Sequence, residues 1–219
     1  MLEHIISFIA PHLCINCGIE GHVLCPDCRL GLSPVPPRCY KCQKVTDDFK
    51  TCSTCRRRSP LFAAWAATYY TGPAKEVVHR LKFGRASAAA NSIAEAMLPR
   101  LPRGHQYLVT HLPTATSRVR MRGYDQAGLI AKHIAGRLEL PYDSLLTREG
   151  QSRQVGQKRS SRQGQMAGAF VPNKVGRIQG KHILLIDDVL TTGATLEAAG
   201  LVLREAGAAR VSAAVFAVA

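Results

Sequence analysis

All eight cysteines of this chain lie between Cys14 and Cys55, in four pairs that each enclose two residues: CINC, CPDC, CYKC and CSTC. No other feature limits the fold as strongly. Eight thiols in so short a stretch either cross-link or hold metal, and the uniform two-residue spacing is that of tetrahedral zinc knuckles. A segment this small builds little core of its own, so bound metal supplies folding energy that burial does not. Cys14, Cys17, Cys25 and Cys28 form a C-x2-C-x7-C-x2-C set, and Cys39, Cys42, Cys52 and Cys55 form C-x2-C-x9-C-x2-C. Pairing of adjacent motifs gives two compact Zn²⁺ sites, while an interleaved cross-brace satisfies the same spacing. Four thiolates leave no open coordination position, which points to structural rather than catalytic zinc.

Metal-binding thiols belong to a reducing compartment, so a cytoplasmic setting is expected. The apolar runs IISFIA near the start and VSAAVFAVA at the end are too short for a signal segment or a membrane span, and no membrane insertion is expected. The formal net charge is +14. Because bound cysteines are deprotonated, two four-thiolate zinc centres lower it to about +10. A chain that basic suits an anionic partner, either nucleic acid or a phosphorylated small molecule.

The run RRRSP, Arg56 to Pro60, marks a boundary between a cysteine module over 1–60 and a second unit over 61–219. In the second unit LFAAWAATYY, QYLVTHLP, HILLID and RVSAAVFAV read as strands. GPAKEVVHRLKF, ASAAANSIAEAML, QAGLIAKHIAGRL and TLEAAGLVLREAGA read as helices, the third with a stripe of Leu129, Ile130, His133, Ile134 and Leu138. Residues 147–168 offer almost nothing to bury and predict a mobile loop or a wet helix. Short aliphatic strands alternating with helices predict an α/β fold, with a mostly parallel sheet and flanking helices. Ligands of such sheets bind beyond the carboxyl ends of the strands.

At one such end stands ILLIDDVLTTGAT, Ile183 to Thr195. Gly193 permits a tight turn, and the amides of Thr191 to Thr195 at a helix start can converge on an anion. There is no lysine of a G-x-x-x-x-G-K-[ST] loop and no G-x-G-x-x-G. Asp187 and Asp188 cannot hold the phosphate, so they must hold what is attached to it. A ribose fits, because its hydroxyls donate to carboxylates while the amides take the 5′-phosphate.

This run resembles the fingerprint of type I phosphoribosyltransferases, which bind 5-phosphoribosyl-1-pyrophosphate (PRPP). The resemblance implies that Asp187 and Asp188 contact the ribose, and that Thr191, Thr192, Gly193, Ala194 and Thr195 hold the 5′-phosphate. FIAPHLCINCG, VVHRLKFGR and LPTATSRVRMRGYDQAGLIA extend the likeness to nearly the whole chain, which resembles the competence-associated ComF/ComFC-like proteins. That family implies a double zinc ribbon ahead of a type I phosphoribosyltransferase-like sheet, with a part in the uptake or processing of transforming DNA. Two departures stand out. RGYDQ replaces the family's R-G-F-N-Q and puts a potential charge at Asp125, and RQGQ puts Gln165 where the family has asparagine. Both predict altered contacts on the nucleobase side rather than to PRPP.

The family's pyrophosphate loop falls at Pro113 and Thr114. Arg118 and Arg122 are the candidates for clamping the leaving group, since guanidinium forks suit phosphate oxygens. Mg²⁺ bridging pyrophosphate and ribose oxygens needs few protein ligands. The implied reaction is substitution at ribose C1 with departure of pyrophosphate, and no residue stands out as a covalent nucleophile. Arg148, Arg153, Lys158, Arg159 and Arg162 make the loop at 148–162 a candidate lid or a track for a nucleic-acid backbone. Implied partners are PRPP or another ribose 5-phosphate ligand, single-stranded DNA and other DNA-uptake proteins. The alternative role is a single-stranded DNA-binding adaptor with a vestigial or regulatory PRPP site. His111, just before the pyrophosphate loop, is the histidine nearest the expected chemistry. Trp65, Tyr69 and Tyr70 read as core.

Overall fold

A computed structural model of the protein describes residues 12–83, 86–104, 106–148 and 169–219. Of the candidate lid at 148–162 only Arg148 is among the described residues; the rest of it, and Gln165, lie outside them. Four strands form one parallel sheet in the order β1 (Leu61–Tyr69), β6 (Arg210–Val218), β5 (His182–Leu190), β2 (Leu108–His111). β6 is buried from Val211 to Ala217, as an inner strand covered on both faces must be. A short antiparallel pair, β3 (Leu146–Arg148) and β4 (Phe170–Pro172), stands apart from the sheet.

The helices bury small side chains. In α3 (Gly72–Phe83) Ala74, Val77, Val78 and Leu81 face the core, and in α4 (Ala86–Met97) Ala89, Ala90, Ile93, Ala94 and Met97 do so. The long helix α6 (Gln126–Arg137) departs from its expected stripe. Its buried face is Ala127, Gly128, Ile130, Ala131, Ile134 and Ala135, with Leu129, His133 and Leu138 only partly covered. α6 packs against α4. The alanine and glycine face permits a closer approach of the two backbones than the leucines would.

The cysteine-rich segment contains the short helices α1 (Pro26–Leu30) and α2 (Ser53–Arg56) and is not a separate bead. Leu24, Val35, Tyr40 and Phe49 are buried in the same hydrophobic cluster as the sheet. The amide of Thr51 donates to the carbonyl of Phe62, and the indole of Trp65 donates to Asp48 at 3.0 Å. Among the described residues no helix is long and apolar enough to cross a membrane.

Candidate functional site

Strand β5 runs farther than its aliphatic stretch, through Asp187 and Asp188 to Leu190, with Asp187 paired to Val215 and Leu190 to Val218 of β6. On its other side β2 stops at His111, opposite Ile186, and one further bond joins the Leu112 amide to the Ile186 carbonyl. Beyond that point the chain turns away. The edge of β5 is thus left open where the two carboxylates sit, and this produces a cleft at the carboxyl end of the sheet.

The cleft is open to solvent, has a volume of about 170 Å³ and is lined by Thr114, Arg118, Arg122, Asp187, Asp188 and Thr195 from the expected set. Lys82, Gln126 and Arg148 join them. Thr191, Thr192 and Ala194 are exposed outside it, and Gly193 is buried behind it. Lys82, at the end of α3, pairs with Asp188 at 2.9 Å. The Asp188 amide donates to Asp187 Oδ1 at 2.8 Å. Burial and the neighbouring Asp188 charge nevertheless hold the Asp187 carboxyl well above the usual carboxylate range. Two donors in the cleft wall, Arg122 Nε and Gln126 Nε2, are buried without a hydrogen-bond partner among the described residues. Buried donors of this kind call for an acceptor.

Arg118 and Arg122 belong to α5 (Thr116–Arg122), which ends at Gly123 with φ 82°. The Tyr124 hydroxyl then donates to the Leu81 carbonyl at 2.8 Å, which ties this turn to α3 beside Lys82. Asp125 is half-buried and turned onto its own backbone neighbours. Its carboxylate caps α6 through the Gly128 amide at 3.2 Å and accepts the Thr114 amide at 2.7 Å. Asp125 thus has a structural role, pinning the Pro113–Thr114 loop to α6. The signal was available, since an aspartate directly before a helical run is a common N-cap. His111 is buried, its Nδ1 meets the Tyr142 hydroxyl at 3.0 Å, and burial pushes its pKa down against the pull of the Asp125 charge.

The loop ahead of α8 (Ala194–Glu205) turns at Gly193 with φ 80°, and no Gly193 side chain exists to cap the helix. Thr192 Oγ1 takes only the Ala194 amide, at 3.4 Å. A Cβ on Gly193 would stand 3.1 Å from the Tyr40 ring. Tyr40 follows Cys39 directly. Its hydroxyl donates to Glu197 Oε1 of α8 at 2.6 Å, where Lys41 Nζ also binds at 2.7 Å. The second cysteine cluster is thereby clamped onto the back of the threonine loop.

Both clusters use adjacent pairing. The sulfurs of Cys14, Cys17, Cys25 and Cys28, and those of Cys39, Cys42, Cys52 and Cys55, lie within 4.8 Å of one another in each set. Cys17 and Cys25 sulfurs are 3.6 Å apart, as are Cys42 and Cys52. Tetrahedral zinc with Zn–S of about 2.3 Å needs sulfur separations of about 3.8 Å, so the donor sets fit that ion. Burial pushes the Cys14 and Cys39 thiols up, but backbone amides donating to them outweigh it and bring both to about 6.

Comparison with known proteins agrees with this geometry. Residues 125–218 match the model of the phosphoribosyl transferase domain. The chain is 31% identical over 198 residues to the DNA utilization protein YhgH of Salmonella typhimurium, covering 84% of this chain and 80% of that one. It is 26% identical over 218 residues to YhgH of Escherichia coli K12, with 91% and 94% covered. It is 28% identical over 197 residues to the competence protein ComFC of Bacillus subtilis, with 85% and 80% covered. With a parallel sheet, an acidic pair at its carboxyl end and two four-cysteine clusters, the chain belongs to the ComFC/YhgH family.

Proposed function

We propose that the cleft binds PRPP and transfers its phosphoribosyl group to an acceptor, and that the protein serves DNA handling as the names of its relatives suggest. The observation that carries this reading is the meeting of both signs of charge in one cleft. Asp187 and Asp188 of β5 line it together with Arg118 and Arg122 of α5, and Gln126 Nε2 is buried there without a partner among the described residues. A ligand with hydroxyls at one end and phosphates at the other satisfies both. Asp187 and Asp188 accept from the ribose 2′ and 3′ hydroxyls. The amides from Thr191 to Thr195, with the threonine hydroxyls, take the 5′-phosphate. Arg118, Arg122 and the Thr114 hydroxyl hold the pyrophosphate, while Lys82 offsets the negative charge of the acid pair.

Mg²⁺ arriving with PRPP, near Asp187 and Asp188, supplies further neutralisation of the phosphate oxygens. In the transfer the C1–O bond to pyrophosphate breaks with its electron pair leaving on oxygen. A lone pair of an acceptor nitrogen forms the new bond at C1, and the acceptor's proton is released to solvent. Arginines fixed around the departing charge lower the barrier, because they are in place before the charge develops.

The Lys82–Asp188 ion pair favours a second reading, in which one carboxylate is already satisfied and the cleft only regulates a single-stranded DNA-binding adaptor. Incubation with PRPP, Mg²⁺ and a panel of nucleobases and amines, followed by ³¹P NMR, separates the two. Free pyrophosphate appearing with one acceptor, and not without protein, supports transfer. Bound PRPP that never releases pyrophosphate with any acceptor rejects transfer in favour of the adaptor.

A further inference from the structure

At the opposite, amino end of the sheet, the cysteine-rich segment meets β1 and β6 over a second hollow, of about 330 Å³ and open to solvent. It is lined by Arg56, Ser59, Phe62, Arg204 and Arg210 among others, and among the described residues no aspartate or glutamate lines it. Arg56 comes from α2, directly after Cys55, and Arg210 from the first residue of β6. Both guanidiniums sit on the same ring, 3.9 and 4.0 Å from the Phe62 centroid. Arg204 is fixed by donating to the Ala208 and Ala209 carbonyls at the end of α8. Arg56 Nε is buried with no hydrogen-bond partner.

Three guanidiniums held in one hollow repel each other, and no protein carboxylate of the hollow relieves the repulsion. Cation–π contact with Phe62 offsets part of that cost and fixes two of the cations in position. An anion entering between them removes the repulsion and gives the buried Arg56 donor an acceptor. The aromatic surface is already covered by cations, so the hollow offers a ligand charge rather than a stacking platform. It therefore recognises phosphate rather than bases. Because the donors lie inside a concave seam, the ligand must turn its phosphates inward, which a flexible single strand does and a stiff duplex does not. Arg57 and Arg58, both exposed, extend the positive charge from the rim.

We propose that this seam, built from Arg56, Arg204 and Arg210 across the two parts of the chain, is a binding site for the phosphate backbone of single-stranded DNA, distinct from the ribose-phosphate cleft. The proposal rests on the DNA-handling part of the functional reading and is independent of PRPP transfer. Binding at the seam is indifferent to sequence and steep in salt, because each phosphate contact releases counterions.

Fluorescence anisotropy of a labelled oligo(dT), measured across a salt series, tests it with wild type and an Arg56→Gln/Arg210→Gln double variant. For a single strand each lost phosphate contact removes about 0.7 from the slope of log K against log salt, so the variant slope should be shallower by about 1.4 and its binding weaker. Zinc content and PRPP binding of the variant check that it is folded. If it does not fold, modification of wild type by an arginine-selective reagent gives the answer, with Arg56 and Arg210 protected by oligo(dT). An unchanged slope, or arginines that stay unprotected while the oligonucleotide is bound, overturns the site and leaves DNA handling standing. Absence of oligonucleotide binding by wild type overturns both.

Discussion

Asp187 and Asp188 place two carboxylates side by side, and the ligand-free protein bears a cost for it. Burial and the Asp188 charge raise the Asp187 pKa, whereas the unfolded chain titrates near 3.8. The folded form thus holds a proton that the unfolded form releases. Stability from this group is present below pH 3.8 and lost as pH rises through the raised folded value. Asp187→Asn should therefore raise the Tm at pH 7 by about 2–4 °C for each kcal/mol relieved, with the gain shrinking toward acid pH. Scanning calorimetry of the two proteins at pH 7 and pH 4 reads this directly, and a lower Tm for the variant at pH 7 contradicts it. Asp125 behaves differently. Asp125→Ala removes the α6 cap and the anchor of Thr114, and should cost about 0.5–2 kcal/mol in urea unfolding, whereas Asp125→Asn should cost much less because asparagine also caps. Equal losses would place the effect in charge rather than in capping. The acid pair and threonines were legible in the sequence because their order is chemically unusual. Lys82 and Gln126 were not, since they reach the cleft only through tertiary packing.

Elements carry the coupling between the two parts of the molecule. The threonine loop is shaped from behind: Tyr40 fills the space that a side chain on Gly193 would need, and its hydroxyl and Lys41 hold Glu197 in the first turn of α8. Tyr40→Ala should loosen that loop and weaken PRPP binding while zinc content stays unchanged. Calorimetry paired with metal analysis checks both, and unaltered affinity would reduce Tyr40 to packing. Strand and helix existence was readable from aliphatic runs and helical periodicity. The buried face of α6 was not. Leucine and isoleucine mark a stripe by hydrophobicity, but packing on α4, β5 and β2 buries Ala127, Ala131 and Ala135 and leaves Leu129 and Leu138 partly covered. The extension of β5 through two aspartates was hidden for a related reason: a charged pair reads as a loop, yet β6 still pairs with it.

At the scale of the whole molecule, the cysteine-rich segment and the parallel sheet share one core. Because Tyr40 and Phe49 of the cysteine-rich segment are buried together with β1, removal of metal should disturb more than the segment. Metal analysis should return about two zinc per chain. Chelation should lower the Tm and expose Trp65, read as a red shift of its fluorescence; Trp65 is 2% exposed in the folded protein. A chelated protein with unchanged Tm and fluorescence would contradict this. The cysteine spacing made the clusters legible but not their pairing, which depends on which sulfurs the hairpins bring within 4.8 Å. The seam between the two parts was hidden too, because Arg56 is far in sequence from Arg204 and Arg210.

PRPP bound in the cleft through the acid pair should be lost with that pair. Calorimetric titration of PRPP with Mg²⁺ into wild type and into an Asp187→Ala/Asp188→Ala variant should give saturable heat in wild type that disappears in the folded variant. Heat of equal size in both would put PRPP elsewhere, and no heat in either would leave the cleft without its ligand.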